Sequence, residues 1–290
     1  METVARLFEE SRENRSADAR CCGVADKEGA AGRIPFSAEM FPPKGQLTLD
    51  AARKVVEGLR AASPDFISVT CSAGGSGNGS GGQTAAIAEL VQKEAAIPAV
   101  AHFTCVSATR ASVDDAVEDL RAAGVKTVLA LRGDLVDGQQ PADFRYACEL
   151  IPRLKEVGLC VGAAAYPEGH IDCLDPRENI RHLRAKQDAG ADFFITQLFF
   201  NNDDFYRFRE AAESAGVAAP SRAASCRFWG NRRSSAWCSS AAARCRRPSS
   251  SFWRSTRTIR WPCARRASNT PATSWSISVA TASTACTCMP

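Results

Sequence analysis

Glu39 stands in the run Phe36-Ser37-Ala38-Glu39-Met40-Phe41, stopped by Pro42 and Pro43 before Lys44. A carboxylate at the end of an apolar strand is poorly solvated, so its pKa rises toward that of a general acid near neutrality. The bland alternative is a structural glutamate paired with a basic neighbour. Asp134 follows Arg132 and Gly133 at the end of Val128-Leu129-Ala130-Leu131. The glycine admits close backbone approach, and the flanking charges can serve a phosphate and the polar edge of a ring. A surface ion pair is the commoner use of such a triplet. His102, in Ala101-His102-Phe103-Thr104-Cys105, has no second histidine or acid cluster near it in sequence. It suits a neutral imidazole bonded to a ligand, or equally a satisfied core residue, better than a metal ligand. Tyr166 and Gln197 offer neutral hydrogen-bonding groups near Phe193, Phe194, Phe199 and Phe200. That wall suits a flat heteroaromatic ring, or it is ordinary core.

Glu39, Thr70, His102, Asp134, Tyr166 and Gln197 follow one another at steps of 31, 32, 32, 32 and 31 residues. A strand, a turn, a crossover helix and a return turn take roughly 30 residues, so the beat reads as consecutive parallel βα units. Each polar residue closes an apolar run: 34–40, 66–71, 99–105, 127–131, 159–165 and 193–200. Such runs are what strands buried on both faces look like. Helical stretches lie between them, 114–121 leading to Gly124, 181–189 to Gly190, and 203–215 to Gly216. The fold class is therefore α/β, a (β/α)8 barrel whose strand ends converge on one mouth. An open doubly wound sheet alternates in the same way and stays as the rival. Residues 72–82 hold six glycines but match no phosphate-binding fingerprint, and read as a mobile βα loop rather than a phosphate cradle.

The pattern stops at Pro220. Residues 1–220 carry a net charge of −8, and residues 221–290 carry 12 Arg with no Lys, Asp or Glu, leaving the chain at +4. All five Trp and six of the 13 Cys fall in this tail. A run of Ser, Arg, Ala, Cys and Trp of that kind is what GC-rich coding DNA gives when read in a shifted frame. An Arg-rich arm with interleaved Trp for nucleic acid is the alternative, disfavoured because binding does not require Lys, Asp and Glu to vanish together. The division is a lead-in over 1–30, helical or disordered, a six-unit barrel over 31–220, and an aberrant tail over 221–290. Six strands would leave open edges on the first and the last. No apolar stretch reaches membrane-spanning length and no signal peptide opens the chain. Scattered thiols without C-x-x-C spacing, and three His, suit a reducing cytoplasm with no metal site.

Seven segments together resemble the methylenetetrahydrofolate reductase family. They are Ser37 to Lys44, Val69-Thr70, His102 to Cys105, Leu131 to Asp134, Ala165 to Glu168 with His170, Lys186 to Ala191, and Ile195 to Phe200. They keep that family's order and spacing over residues 34–216. The resemblance implies a barrel holding non-covalent FAD, reduced by NADH or NADPH in a ping-pong cycle. 5,10-Methylenetetrahydrofolate is then reduced to 5-methyltetrahydrofolate, within one-carbon metabolism, tetrahydrofolate interconversion and methionine biosynthesis. By that resemblance Glu39 is the general acid and also contacts substrate. Asp134 sits by flavin and folate, and Gln197 holds the pterin. Thr70, His102, Arg132, Gly133, Asp134, Tyr146, Ala147, Tyr166, His170 and Lys186 match FAD-contacting positions. Cys71 stands where the family often has an aromatic, and strands 7 and 8 with the late folate-contacting Tyr and Arg have no counterpart. An inactive, frame-shifted product of such a reductase is the competing expectation. Partners would be the folate and NAD(P)H, with no membrane, and a homo-oligomer stays open.

Overall fold

The structure, a computed structural model, describes residues 36–41, 49–71, 80–134, 140–173, 175–199, 201–225 and 276–281. The 1–30 lead-in, most of the glycine-rich loop and most of the tail lie outside these residues. Strand and helix alternate as the spacing predicts. β1 is Phe36–Phe41, α1 Leu49–Arg60, β2 Phe66–Val69, α2 Ser80–Ala95, β3 Ala99–Thr104, α3 Arg110–Ala122 and β4 Thr127–Leu131. α4 is Ala147–Glu156, β5 Cys160–Ala165, α5 Pro176–Asp188, β6 Phe193–Thr196 and α6 Asn202–Ser214. Two short strands, β7 Ser221–Arg222 and β8 Ala224–Ser225, and the six-residue β9 Ser276–Thr281 follow.

Local chemistry explains the helices. α1 buries Ala52, Val56 and Leu59, and α3 buries Val113, Val117 and Leu120, each one stripe of a 3.6-residue period. Thr109 and Ser112 cap α3 reciprocally, each side chain meeting the other's backbone amide. Asp175 caps α5 by accepting from the Arg177 amide, and Pro176 occupies the first turn, where no amide partner is needed. α5 ends at Gly190, whose φ of +111° is open to glycine at little steric cost. The Gly190 amide donates to Gln187 O and the Ala191 amide to Lys186 O, which turns the chain directly into β6.

β1 to β7 are parallel neighbours in chain order, a curled seven-strand sheet with alternating helices and hence a partial (β/α)8 barrel. The expected open edges are both covered. Ser221–Arg222 pair with β6, and β9 pairs antiparallel with β1 from Phe36↔Thr281 to Phe41↔Ser276. β8 pairs with β9, and only Ala223 separates β7 from β8, so the ladder returns on itself. The physical reason is that an unpaired strand edge takes any segment able to supply amides and carbonyls. Ser276–Thr281 does so without belonging to a βα unit.

Successive side chains of a strand face opposite ways, and the core separates accordingly. Phe66, Val100, Leu129, Cys160, Phe193 and Ile195 form one cluster inside the curl. Their strand neighbours Ile67, Val69, Ala101, Val128, Ala130, Val161, Ala163 and Phe194 pack outward with the helices. Two-residue parity therefore assigns Glu39, Ser68, Thr70, His102, Tyr166 and Gln197 to the inner side.

Candidate active site at the strand ends

Glu39 lies on β1 between Ala38 and Met40, which point into the outer core. Its side chain is 26% exposed. Burial raises its carboxyl to about 7, partly opposed by the Ser68 hydroxyl, which donates to Oε2 at 3.4 Å. His102 on β3 is buried, and its Nε2 lies 3.7 Å from the same Oε2. Burial pushes the imidazole down to about 4, so His102 is neutral near pH 7 and the contact is not a salt bridge. His102 Nε2 is a buried nitrogen with no hydrogen-bond partner among the described residues. Thr70 continues the β2 face, its amide bound to Met40 O at 3.0 Å.

A second cluster gathers at the ends of β4 and β5. Arg132 Nη2 donates to Asp172 Oδ2 at 2.6 Å, and its Nε donates to Gly133 O at 3.2 Å. Gly133 has φ +84°, and a Cβ there would stand 3.2 Å from Thr104 Cβ and Val106 Cγ1. Asp134, just beyond that turn, falls outside the inward set of Leu129 and Leu131 and is exposed. Its charge is felt at both Tyr166 and His170. The Tyr166 and His170 rings meet edge to face at 4.8 Å. Lys186 Nζ lies 5.3 Å from the Tyr166 ring centroid and donates to Ala164 O at 2.8 Å. Burial lowers this ammonium to about 8 and raises the Tyr166 hydroxyl.

The structure places the remaining expected residues further apart. Tyr146 is the N-cap of α4 with 40% exposure, and its ring lies 6.3 Å from that of His182 on α5. Ala147 is buried at the start of α4. Gln197 is exposed, its Oε1 accepting from the Leu198 amide at 2.8 Å. Phe193 and Phe194 are core, while Phe199 stacks on Phe205 at 4.7 Å. Three contributors escaped the sequence reading: Ser68, Asp172 and Asn179, whose Nδ2 donates to Tyr166 O at 2.6 Å. Two had a signal. Ser68 lies two residues before Thr70 on one strand face, and Asn179 lies two helical turns before Lys186. Among the described residues no group of three or more His, Cys, Asp or Glu could hold a metal, and no helix is long and apolar enough to cross a membrane.

The chain that carries these residues matches a known family along most of its length. The family profile described as methylenetetrahydrofolate reductase covers residues 25–223. This chain belongs to the methylenetetrahydrofolate reductase family. A 5,10-methylenetetrahydrofolate reductase of Pectobacterium carotovorum is 33% identical over 187 residues, 64% of this chain and 61% of that protein. A probable methylenetetrahydrofolate reductase (NADH) of Oryza sativa is 33% identical over 214 residues, 67% of this chain and 35% of that one. The chain thus spans about three fifths of the bacterial relative's length. A solved phosphoenolpyruvate phosphomutase from Streptomyces platensis superposes with TM-score 0.45 at 17% identity over 71% of this chain and 79% of that one. A likeness that remote carries no functional argument.

Proposed function

We propose that the chain is built for FAD-dependent reduction of 5,10-methylenetetrahydrofolate to 5-methyltetrahydrofolate with NADH or NADPH, in a ping-pong cycle. One observation carries the reading: Glu39, inside the barrel mouth, holds its proton to about pH 7. Family membership supplies the substrate class, and the printed name of the Oryza relative supports NADH as one donor.

The residues present fit a flavin. Gly133 occupies a position closed to a side chain, and Arg132, His170 and Lys186 offer donors beside Tyr166. Bound FAD would supply the hydride chemistry, taking it from the nicotinamide and giving it to the folate. The protein's task is protons and placement. Glu39 gives its proton to the folate nitrogen released as the imidazolidine ring opens, which a carboxyl of pKa about 7 can do near neutrality. Asp134 lends a negative charge to the cation that opening creates. The Gln197 amide can turn from its own Leu198 N–H to the pterin, donating and accepting at once. Thr70, His102, Arg132, Gly133, Tyr146, Ala147, Tyr166, His170 and Lys186 hold the cofactor in this reading.

Such a chain acts in the cytoplasm, in tetrahydrofolate interconversion and methionine biosynthesis. The test is a flavin spectrum of the purified full chain after incubation with FAD. A yellow protein that NADH or NADPH bleaches without oxygen, and that folate reoxidises, supports the reading. A folded chain indifferent to FAD overturns it.

A further inference from the structure

Glu39 and His102 come from strands that are not neighbours. β2 runs between them, and the residue facing inward at the crossing is Ser68, paired in register with Glu39. In a βα barrel, alternate strands contribute side chains to one interior layer. Serine is small enough to let the two larger groups approach over it. The outcome is a carboxyl whose Oε2 has Ser68 Oγ at 3.4 Å on one side and the unpartnered His102 Nε2 at 3.7 Å on the other.

We propose that His102 and Ser68 are positioning residues which stand ready to receive the Glu39 carboxylate as its proton leaves. The protonated carboxyl needs little from them, and 3.7 Å is longer than a hydrogen bond. The ionised carboxylate accepts only; the Ser68 hydroxyl already donates to its Oε2, and His102 Nε2 stands beside the same oxygen. A small approach of the imidazole makes the second bond. One proton moves in this step, from a Glu39 oxygen to the substrate nitrogen, and the Nε2–H and Oγ–H protons stay where they are. Burial keeps His102 neutral, and in its Nε2–H tautomer it offers an N–H without adding a charge. Burial and the Ser68 hydrogen bond account for the displacement of Glu39, with no lysine or arginine contributing. The inference rests on Glu39 being the acid of the proposed reaction, yet its test needs neither flavin nor folate.

The experiment is a pH titration of the Glu39 carboxyl in the full chain without cofactor, by infrared difference against Glu39→Gln. The wild-type midpoint should fall near 7. His102→Leu and Ser68→Ala should each move it upward by roughly one pH unit, because the carboxylate loses a charge-assisted donor. His102→Gln, which keeps an N–H, should return it close to wild type. A midpoint unmoved by His102→Leu overturns the proposal, and so does a His102→Gln midpoint shifted as far as that of leucine. A second measurement needs no change at His102. The His102 Nε2 proton resonance should move with the Glu39 midpoint and hold still in Glu39→Gln; a resonance indifferent to Glu39 overturns the idea. A chain that takes up no flavin would sink the functional reading and leave both titrations standing.

Discussion

Phe193 packs against the bare backbone of Gly162, and a Cβ on that glycine would lie 2.4 Å from two of its ring carbons. The two residues pair in register across β5 and β6, and the ring fills the inside of the curl with Phe66, Val100 and Leu129. Glycine here is a matter of space, not of backbone conformation.

Gly162→Ala should therefore destabilise the fold by about 1–3 kcal/mol, the usual cost of overpacking a filled core. Denaturant unfolding of the two chains measures it. Equal midpoints would mean that the Phe193 ring has room to swing aside.

Glu39→Gln should lower folate reduction by about 10² to 10⁴ while NAD(P)H oxidation with an artificial acceptor persists, since an amide keeps the shape but gives no proton. Equal loss in both half-reactions would make Glu39 structural. In wild type, folate reduction should decline as pH rises through about 7, where the carboxyl ionises. Stability follows the same sign. The folded pKa is raised from 4.5 to about 7, so the favourable contribution is full below 4.5 and lost as pH rises through 7. The Tm of Glu39→Gln should accordingly gain on wild type at pH 8 and not at pH 4.

Asp134→Asn should raise the reduction potential of bound flavin, because a nearby negative charge opposes the charge gained on reduction. Folate reduction should slow as the opened ring loses its counter-charge. A redox titration with an unchanged or lowered potential would place Asp134 away from the ring.

Removing residues 226–290 takes β9 from β1 and leaves the amides and carbonyls of Phe36–Phe41 unpaired along that edge. Hydrogen exchange in this strand should quicken, and the shortened chain should associate on size-exclusion chromatography. Unaltered exchange would mean that Ser276–Thr281 does not hold the edge in solution. If residues after Pro220 stem from a shifted frame, the frame-corrected chain should be monodisperse and yellow in place of either.

The beat of 31 and 32 residues was enough to read six βα units, because the length of a crossover is a local property of the chain. An acid at an apolar strand end was bound to be poorly solvated, whereas which side chains face inward was settled only by the two core clusters of the folded sheet. Partner choice was not local. Ser68 meets Glu39 across 29 residues and Asp172 meets Arg132 across 40, contacts that exist only once the sheet has curled and its register is set. Asp134 kept the beat, yet it lies beyond the end of β4, past the left-handed turn at Gly133, and outside the inward set of Leu129 and Leu131. The pairing of Ser276–Thr281 with β1 had no periodic signal at all. An edge strand is recruited by the backbone hydrogen bonds it can make, and every residue but proline carries those.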